Sequence, residues 1–259
     1  MCELFAINSR HLVRANRRLR EFFQDSPYHP HGWGLAWYEG KRLQYHKEPL
    51  TAVDSNYLRH LLEEPVRANR LVAHIRNATR GVTSFQNCHP FIGRDTQDQR
   101  WVIAHNGTML NPGLLVGYDQ WIEGDTDSEQ VVLFLMDLIN EASSRAGHAL
   151  DRDERFVVLS NAMASLSDFN KLNLVIDDGE CTYVHTNTVQ HTLFMRQMAG
   201  TAFFCTRPLD DGADWEPVPQ CRLISFKDGR MRRIAPSHGR SFDDELYIRM
   251  LAAESSRQS

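Results

Sequence analysis

The chain has 259 residues, 42% apolar and 24% charged, with a formal net charge of −4. That balance excludes disorder as the dominant state, and the length is enough to bury about three-quarters of the unfolded chain's surface. No run reaches about eighteen apolar residues, so no membrane span is expected, and the mildly acidic balance argues against a dedicated nucleic-acid binder.

The elements follow from periodicity and punctuation. Residues 3–8 read as a short strand. Residues 11–24 read as a helix, with Leu12, Ala15, Leu19, Phe22 and Phe23 on one face and Arg10, Arg14, Arg17 and Arg18 on another. Strands are expected at 34–38 and 42–46 around Glu39-Gly40, and a helix at 54–64 that Pro65 stops. A strand at 70–76 precedes a polar loop over 77–98. A strand at 101–105 is expected to end at Asn106-Gly107, a turn pair.

Thr126-Asp127-Ser128-Glu129 fits a capping box before an apolar helix carrying Val132, Leu135, Ile139 and Ala142. A second helix is expected over 151–168. Strand pairs then flank Asp177-Asp178-Gly179, Ala199-Gly200 and Asp228-Gly229. A helix over 243–253 closes the pattern. No repeat and no linker composition divides the chain, so one domain over 1–259 is expected.

The first twenty residues place an apolar patch before arginines, the reverse of a secretory signal, so a cytoplasmic location is expected. The cysteines are Cys2, Cys88, Cys181, Cys205 and Cys221, odd in number and widely spread, with no C-x-x-C. Neither a disulfide framework nor a zinc site is expected, and His74, His89 and His105 with Cys88 match no zinc spacing. No metal and no cofactor is implied.

Cys2 stands apart because only Met1 precedes it. Removal of Met1 would leave an α-amino group on a cysteine. That single residue would carry a thiol and a base with a pKa near 7.7–8.0. Five elements in order give this position its context: Met1-Cys2, Arg76-Asn77-Ala78-Thr79-Arg80-Gly81, Asn87-Cys88-His89-Pro90-Phe91, His105-Asn106-Gly107 and Thr126-Asp127-Ser128-Glu129. Together they resemble the class II glutamine amidotransferases of the N-terminal-nucleophile type, whose motifs read R-W-A-T-H-G, N-x-H-P, H-N-G and S-D-T-E. The opening M-C-E-L, with His31-Gly32-Trp33-Gly34 and His74-Ile75-Arg76, looks most like the stand-alone YafJ-like branch. The motifs lie within residues 1–147.

The resemblance implies an α+β fold, the four-layer αββα sandwich with two antiparallel sheets between helix layers. It implies Cys2 as the nucleophile on the side-chain amide of glutamine or a γ-glutamyl amide, with a γ-glutamyl thioester and released ammonia. Asn106 and Gly107 would hold the oxyanion. Arg76 would pair the substrate carboxylate and Asp127 its ammonium. Ala78 and Thr79 would line the pocket, and His89 would shape it. Asn77 and Arg80 depart from the family's Trp and His, which motivates a second reading, a γ-glutamyl hydrolase for a substrate with an extra acidic group. A third reading is a non-catalytic binding module on the same scaffold. No ammonia-consuming synthase is visible in the sequence, so a synthase on a separate chain is an expected partner. Neither nucleic acid nor membrane is.

Overall fold

The structure, a computed structural model, describes residues 2–40, 42–209 and 214–249. The chain opens with β1 (Glu3–Arg14), which is longer than the sequence suggests. The expected helix at residue 11 starts only with α1 (Asn16–Phe23). An irregularity between Asn8 and Val13 lets the strand resume pairing at Val13 and Arg14, and Ala15 N–H still donates to the Val66 carbonyl at 2.9 Å. Leu12 is therefore exposed, and the arginines at 10 and 14 lie on a strand rather than on a helix face. Leu19, Phe22 and Phe23 are buried, as the helical spacing requires.

β2 (Trp33–Glu39) and β3 (Arg42–Glu48) form a hairpin; α2 (Asn56–Leu61), capped by the Ser55 hydroxyl, leads to β4 (Arg67–Ile75). The segment read as a continuous loop contains β5 (Phe91–Arg94), which pairs with β6 (Arg100–Thr108). Asn106 and Gly107 are not a turn. They continue β6 in register with Asn173 and Leu172.

α3 (Asp127–Ala146) starts where the sequence places it, with Thr126 capping the Glu129 N–H. The reciprocal half of that capping box is missing, because Glu129 turns instead to the N–H groups of Glu123 and Gly124. A full box forms at α4 (Arg152–Leu166), between Asp151 and Glu154. β7 (Lys171–Asp177), β8 (Thr182–Thr186), β9 (Phe194–Met198), β10 (Thr201–Cys205), β11 (Glu216–Pro217), β12 (Arg222–Lys227) and β13 (Arg230–Ile234) follow, with the hairpins at the expected turns. Of the expected closing helix, residues 244–249 are helical and the remainder lies outside the described residues.

The strands make two antiparallel sheets, in the orders β11-β9-β10-β1-β4-β2-β3 and β13-β12-β8-β7-β6-β5. Strand alternation divides their side chains into three apolar layers. Phe5, Ile7, Trp33, Leu35 and Leu71 pack under α1 and α2. Trp101, Ile103, Leu172 and Leu174 pack under α3 and α4. Leu4, Ala6, Val72, Val102, Ala104, Val175 and Phe204 fill the space between the sheets. This is the αββα sandwich that the motifs imply.

A buried polar link crosses that middle layer. Asp177 meets Arg70 Nε at 3.3 Å and accepts from the Thr182 hydroxyl at 2.6 Å. Thr182 in turn accepts from Asn8 Nδ2 at 2.9 Å. Burial pushes the Asp177 carboxyl up to about 6 from 3.8, against the opposing pull of Arg70. A raised folded-state pKa means that the folded chain holds the proton more tightly. The resulting stability is complete below about pH 4 and is lost as pH rises through about 6. Asp177→Asn should remove this dependence. Relative to wild type, the variant gains on the order of 2–3 kcal/mol between pH 4 and pH 6.5 in urea unfolding. Parallel pH profiles would contradict this.

Candidate active site

Four elements bring their ends together at one end of the sandwich. β1 supplies Cys2 just before its first residue, β4 runs into Arg76, β6 delivers Asn106 and Gly107, and α3 begins at Asp127. Because β1 and β4 pair with Glu3 opposite Ile75, Cys2 lies beside the segment that leaves β4. Its Sγ accepts from the Asn77 N–H at 3.3 Å and lies 3.4 Å from the Asn77 carbonyl. Burial pushes the Cys2 thiol up, and the Asn77 N–H pulls it partly back. A thiol so placed needs a neighbouring base to become a thiolate near neutral pH.

Asn106 reaches across from the second sheet. Its Nδ2 donates to the Cys2 carbonyl at 2.7 Å. The nucleophile candidate and the oxyanion candidate, 104 residues apart, are thus adjacent. Gly107 follows in the same strand, where β7 comes unusually close. A Cβ built there would stand 2.0 Å from the Lys171 carbonyl oxygen and 2.4 Å from His105 Nε2. Only glycine fits without moving β6. Gly107→Ala should lower stability by about 1–3 kcal/mol through overpacking and displace the Asn106 amide. Thermal unfolding and turnover should both fall; an unchanged melting temperature would contradict the packing argument.

Arg76 is buried, and its guanidinium donates to the carbonyls of Arg80 at 2.7 Å, Val82 at 3.0 Å and Gly81 at 3.2 Å. It holds the 80–82 turn in place from below. Ala78 is half-buried and Thr79 exposed on the same stretch. The Ala78 N–H donates to His31 Nδ1 at 3.0 Å. His31 thereby fixes the backbone just after Asn77. Asn87, from the N-x-H-P motif, joins this turn to the start of α3. Its amide donates to the Val82 carbonyl and to Asp125, and its oxygen accepts the Asp125 N–H.

Asp127 sits in the first turn of α3, where a carboxylate is favoured by the helix dipole. One of its oxygens accepts the Met109 N–H at 2.9 Å, tying the helix to the exit of β6. His89 is buried against His74, with ring centroids 4.3 Å apart, and packs edge-on against Phe91. Among the described residues the His89 ring nitrogens have no hydrogen-bond partner, and burial holds both imidazoles well below the usual histidine range. Both are neutral at pH 7. His105 bonds the Ser128 hydroxyl at 3.0 Å. Among the described residues no group of three or more His, Cys, Asp or Glu side chains is arranged to hold a metal ion. Cys88 is buried and its thiol is pushed up to about 11, unlike a reactive cysteine. No helix among the described residues is long and apolar enough to cross a membrane.

The sequence model for class II glutamine amidotransferases matches residues 1–202. YafJ of Escherichia coli (strain K12), a protein named provisionally as a glutamine amidotransferase, is 28% identical over 178 residues, covering 67% of each chain. Among solved structures, a predicted glutamine amidotransferase from Pseudomonas aeruginosa PA01 superposes with a TM-score of 0.62 at 20% identity, over 90% of this chain and 100% of that one. The glutamine phosphoribosylpyrophosphate amidotransferase from B. subtilis superposes with a TM-score of 0.65 at 18% identity, over 89% of this chain and 48% of that one.

Proposed function

Because the chain belongs to the class II glutamine amidotransferases, we propose that it is a glutaminase-type amidohydrolase whose nucleophile is Cys2. The observation that carries this reading is the 2.7 Å contact between Asn106 Nδ2 and the backbone of Cys2. It holds an amide donor against the backbone of the residue that bears the thiol, which supports a role for that donor on the negative oxygen of a tetrahedral intermediate.

The proposed sequence of events begins with removal of Met1, which frees the Cys2 α-amine. That amine takes the thiol proton, directly or through a water. The Cys2 sulfur attacks the side-chain amide carbon of glutamine. Asn106 Nδ2 and the Gly107 N–H receive the oxyanion. The amine then returns the proton to the leaving nitrogen, and ammonia departs, leaving a γ-glutamyl thioester. Water attacks the thioester and releases glutamate. In this reading the Arg76 guanidinium anchors the substrate carboxylate and Asp127 its ammonium. Ala78, Thr79 and His89 form the wall. The test is direct: purified chain supplied with glutamine should release equal amounts of glutamate and ammonia. Absence of both, from protein shown by intact mass to lack Met1, would overturn the reading and favour a binding module.

Arg80 favours a narrower substrate. It is exposed on the turn that Arg76 clamps, and among the described residues its side chain has no ion-pair partner. An unpaired guanidinium at the rim suits a γ-glutamyl compound with a second acidic group. Such a compound should be preferred over glutamine by about tenfold in kcat/KM, and Arg80→His should erase the preference. An unchanged ratio in the variant would contradict this. Cytoplasmic residence and an ammonia-consuming synthase on another chain are consistent with the proposal, and co-purification would test the latter.

A further inference from the structure

A cavity of about 680 Å³ lies away from Cys2, which does not line it. It opens at the other end of the sandwich, between the β2–β3 turn and Arg70 of the first sheet and the β5–β6 and β7–β8 turns of the second. Arg100 begins β6 and Asn106 lies near its end. At roughly 3.3 Å per residue, about 20 Å of strand separates the two ends. The volume suits a small metabolite.

The cavity has four arginines in its lining: Arg42, Arg70, Arg100 and Arg155. The acids in the lining, and Asp177 beside Arg70, are already engaged, whereas Glu39, opposite Arg42 in the hairpin, accepts from Gln44 Nε2. Asp98 pairs with Arg94, and Asp177 with Arg70. Asp178 lies 2.8 Å from Arg155, and Glu180 is shared between Arg155 at 2.6 Å and Lys227 at 2.7 Å. That pairing leaves Arg42 and Arg100 over. Both are exposed at the mouth, and among the described residues neither side chain has a hydrogen-bond or ion-pair partner. Deeper in, the Arg70 guanidinium lies 4.7 Å from the centroid of the Tyr38 ring, and its buried Nε has no well-aligned hydrogen-bond acceptor. Tyr38 also spans the two sheets, its hydroxyl donating to the Arg100 carbonyl at 3.2 Å. The wall is therefore fixed, while neither guanidinium at the entrance is held in a direct ion pair among the described residues.

We propose that this cavity is a second ligand site, for a small polyanion with at least two clustered negative charges, held by Arg42 and Arg100 at the mouth and by Arg70 within. Guanidinium forks match phosphate and carboxylate oxygens two at a time, and a ligand bridging Arg42 and Arg100 would join β3 of one sheet to β6 of the other. This site does not depend on the chemistry proposed for Cys2.

Isothermal titration of the full chain at low salt, with inorganic pyrophosphate and with citrate, tests it. One-site binding of either probe is expected, weakened by about tenfold or more in Arg42→Gln/Arg100→Gln. Tighter pyrophosphate binding marks a phosphorylated ligand, and tighter citrate binding a polycarboxylate. Cys2→Ala should bind as wild type does. Failure of both probes to saturate, equal binding by the double variant, or loss of binding in Cys2→Ala would overturn the proposal.

Discussion

Cys2→Ala should eliminate the proposed glutamine hydrolysis, by about four orders of magnitude or more, while leaving the fold in place. The size follows from the role. A nucleophile is one member of a unit, and its loss costs nearly all of what the unit supplies. The survival of the fold follows from what the thiol touches. Among the described residues its polar contacts are both to the Asn77 backbone, so truncation removes about 1 kcal/mol of hydrogen bonding. The apolar residues that follow, Leu4 to Ile7, anchor β1 independently of position two. Near-wild-type turnover in Cys2→Ala, or a large fall in melting temperature, would each contradict this account.

Asn106→Ala should lower kcat by two to three orders of magnitude, about the effect of one oxyanion donor. The loss should fall on kcat more than on KM, since the donor matters most when the charge develops. In the proposed mechanism Asn106 has two tasks, because its amide also holds the Cys2 carbonyl. The two tasks separate experimentally. If Asn106 merely positioned the chain start, the variant would lose stability and affinity together while kcat stayed within a few fold. A variant with normal KM and a kcat reduced about a hundredfold places Asn106 on the oxyanion.

The features legible in the sequence were those with short-range signatures. Cys2, Arg76, Asn106 and Asp127 each stood in a motif, and the hairpin turns were marked by glycine after Asp, Glu or Ala. The misreadings share one cause, local patterns that tertiary pairing overrides. The arginine-rich stretch after Asn8 looks amphipathic at helical spacing, yet pairing with β4 keeps Val13 and Arg14 in a strand. Asn-Gly at 106–107 has the chemistry of a turn, but its glycine serves the close approach of β7. β5 is four residues long and contains Gly93, too short for alternation to reveal. Contacts such as Asn8 with Thr182 and Asn106 with Cys2 join distant positions and carry no local signal. His31 and Asn87 carry no local signal as supports for the same reason: the Ala78 and Asp125 N–H groups they accept from are brought near by folding alone.

The central claim is that Cys2, with a free α-amine, is the reacting group. Incubation of the purified chain with a glutamine-analogue diazoketone, followed by intact mass and peptide mapping, tests it most directly. The account predicts a chain lacking Met1, one stoichiometric adduct, and that adduct on Cys2, with Cys88, Cys181, Cys205 and Cys221 unmodified because all four are buried. A chain that retains Met1 and takes no adduct, or an adduct on another cysteine, would contradict it.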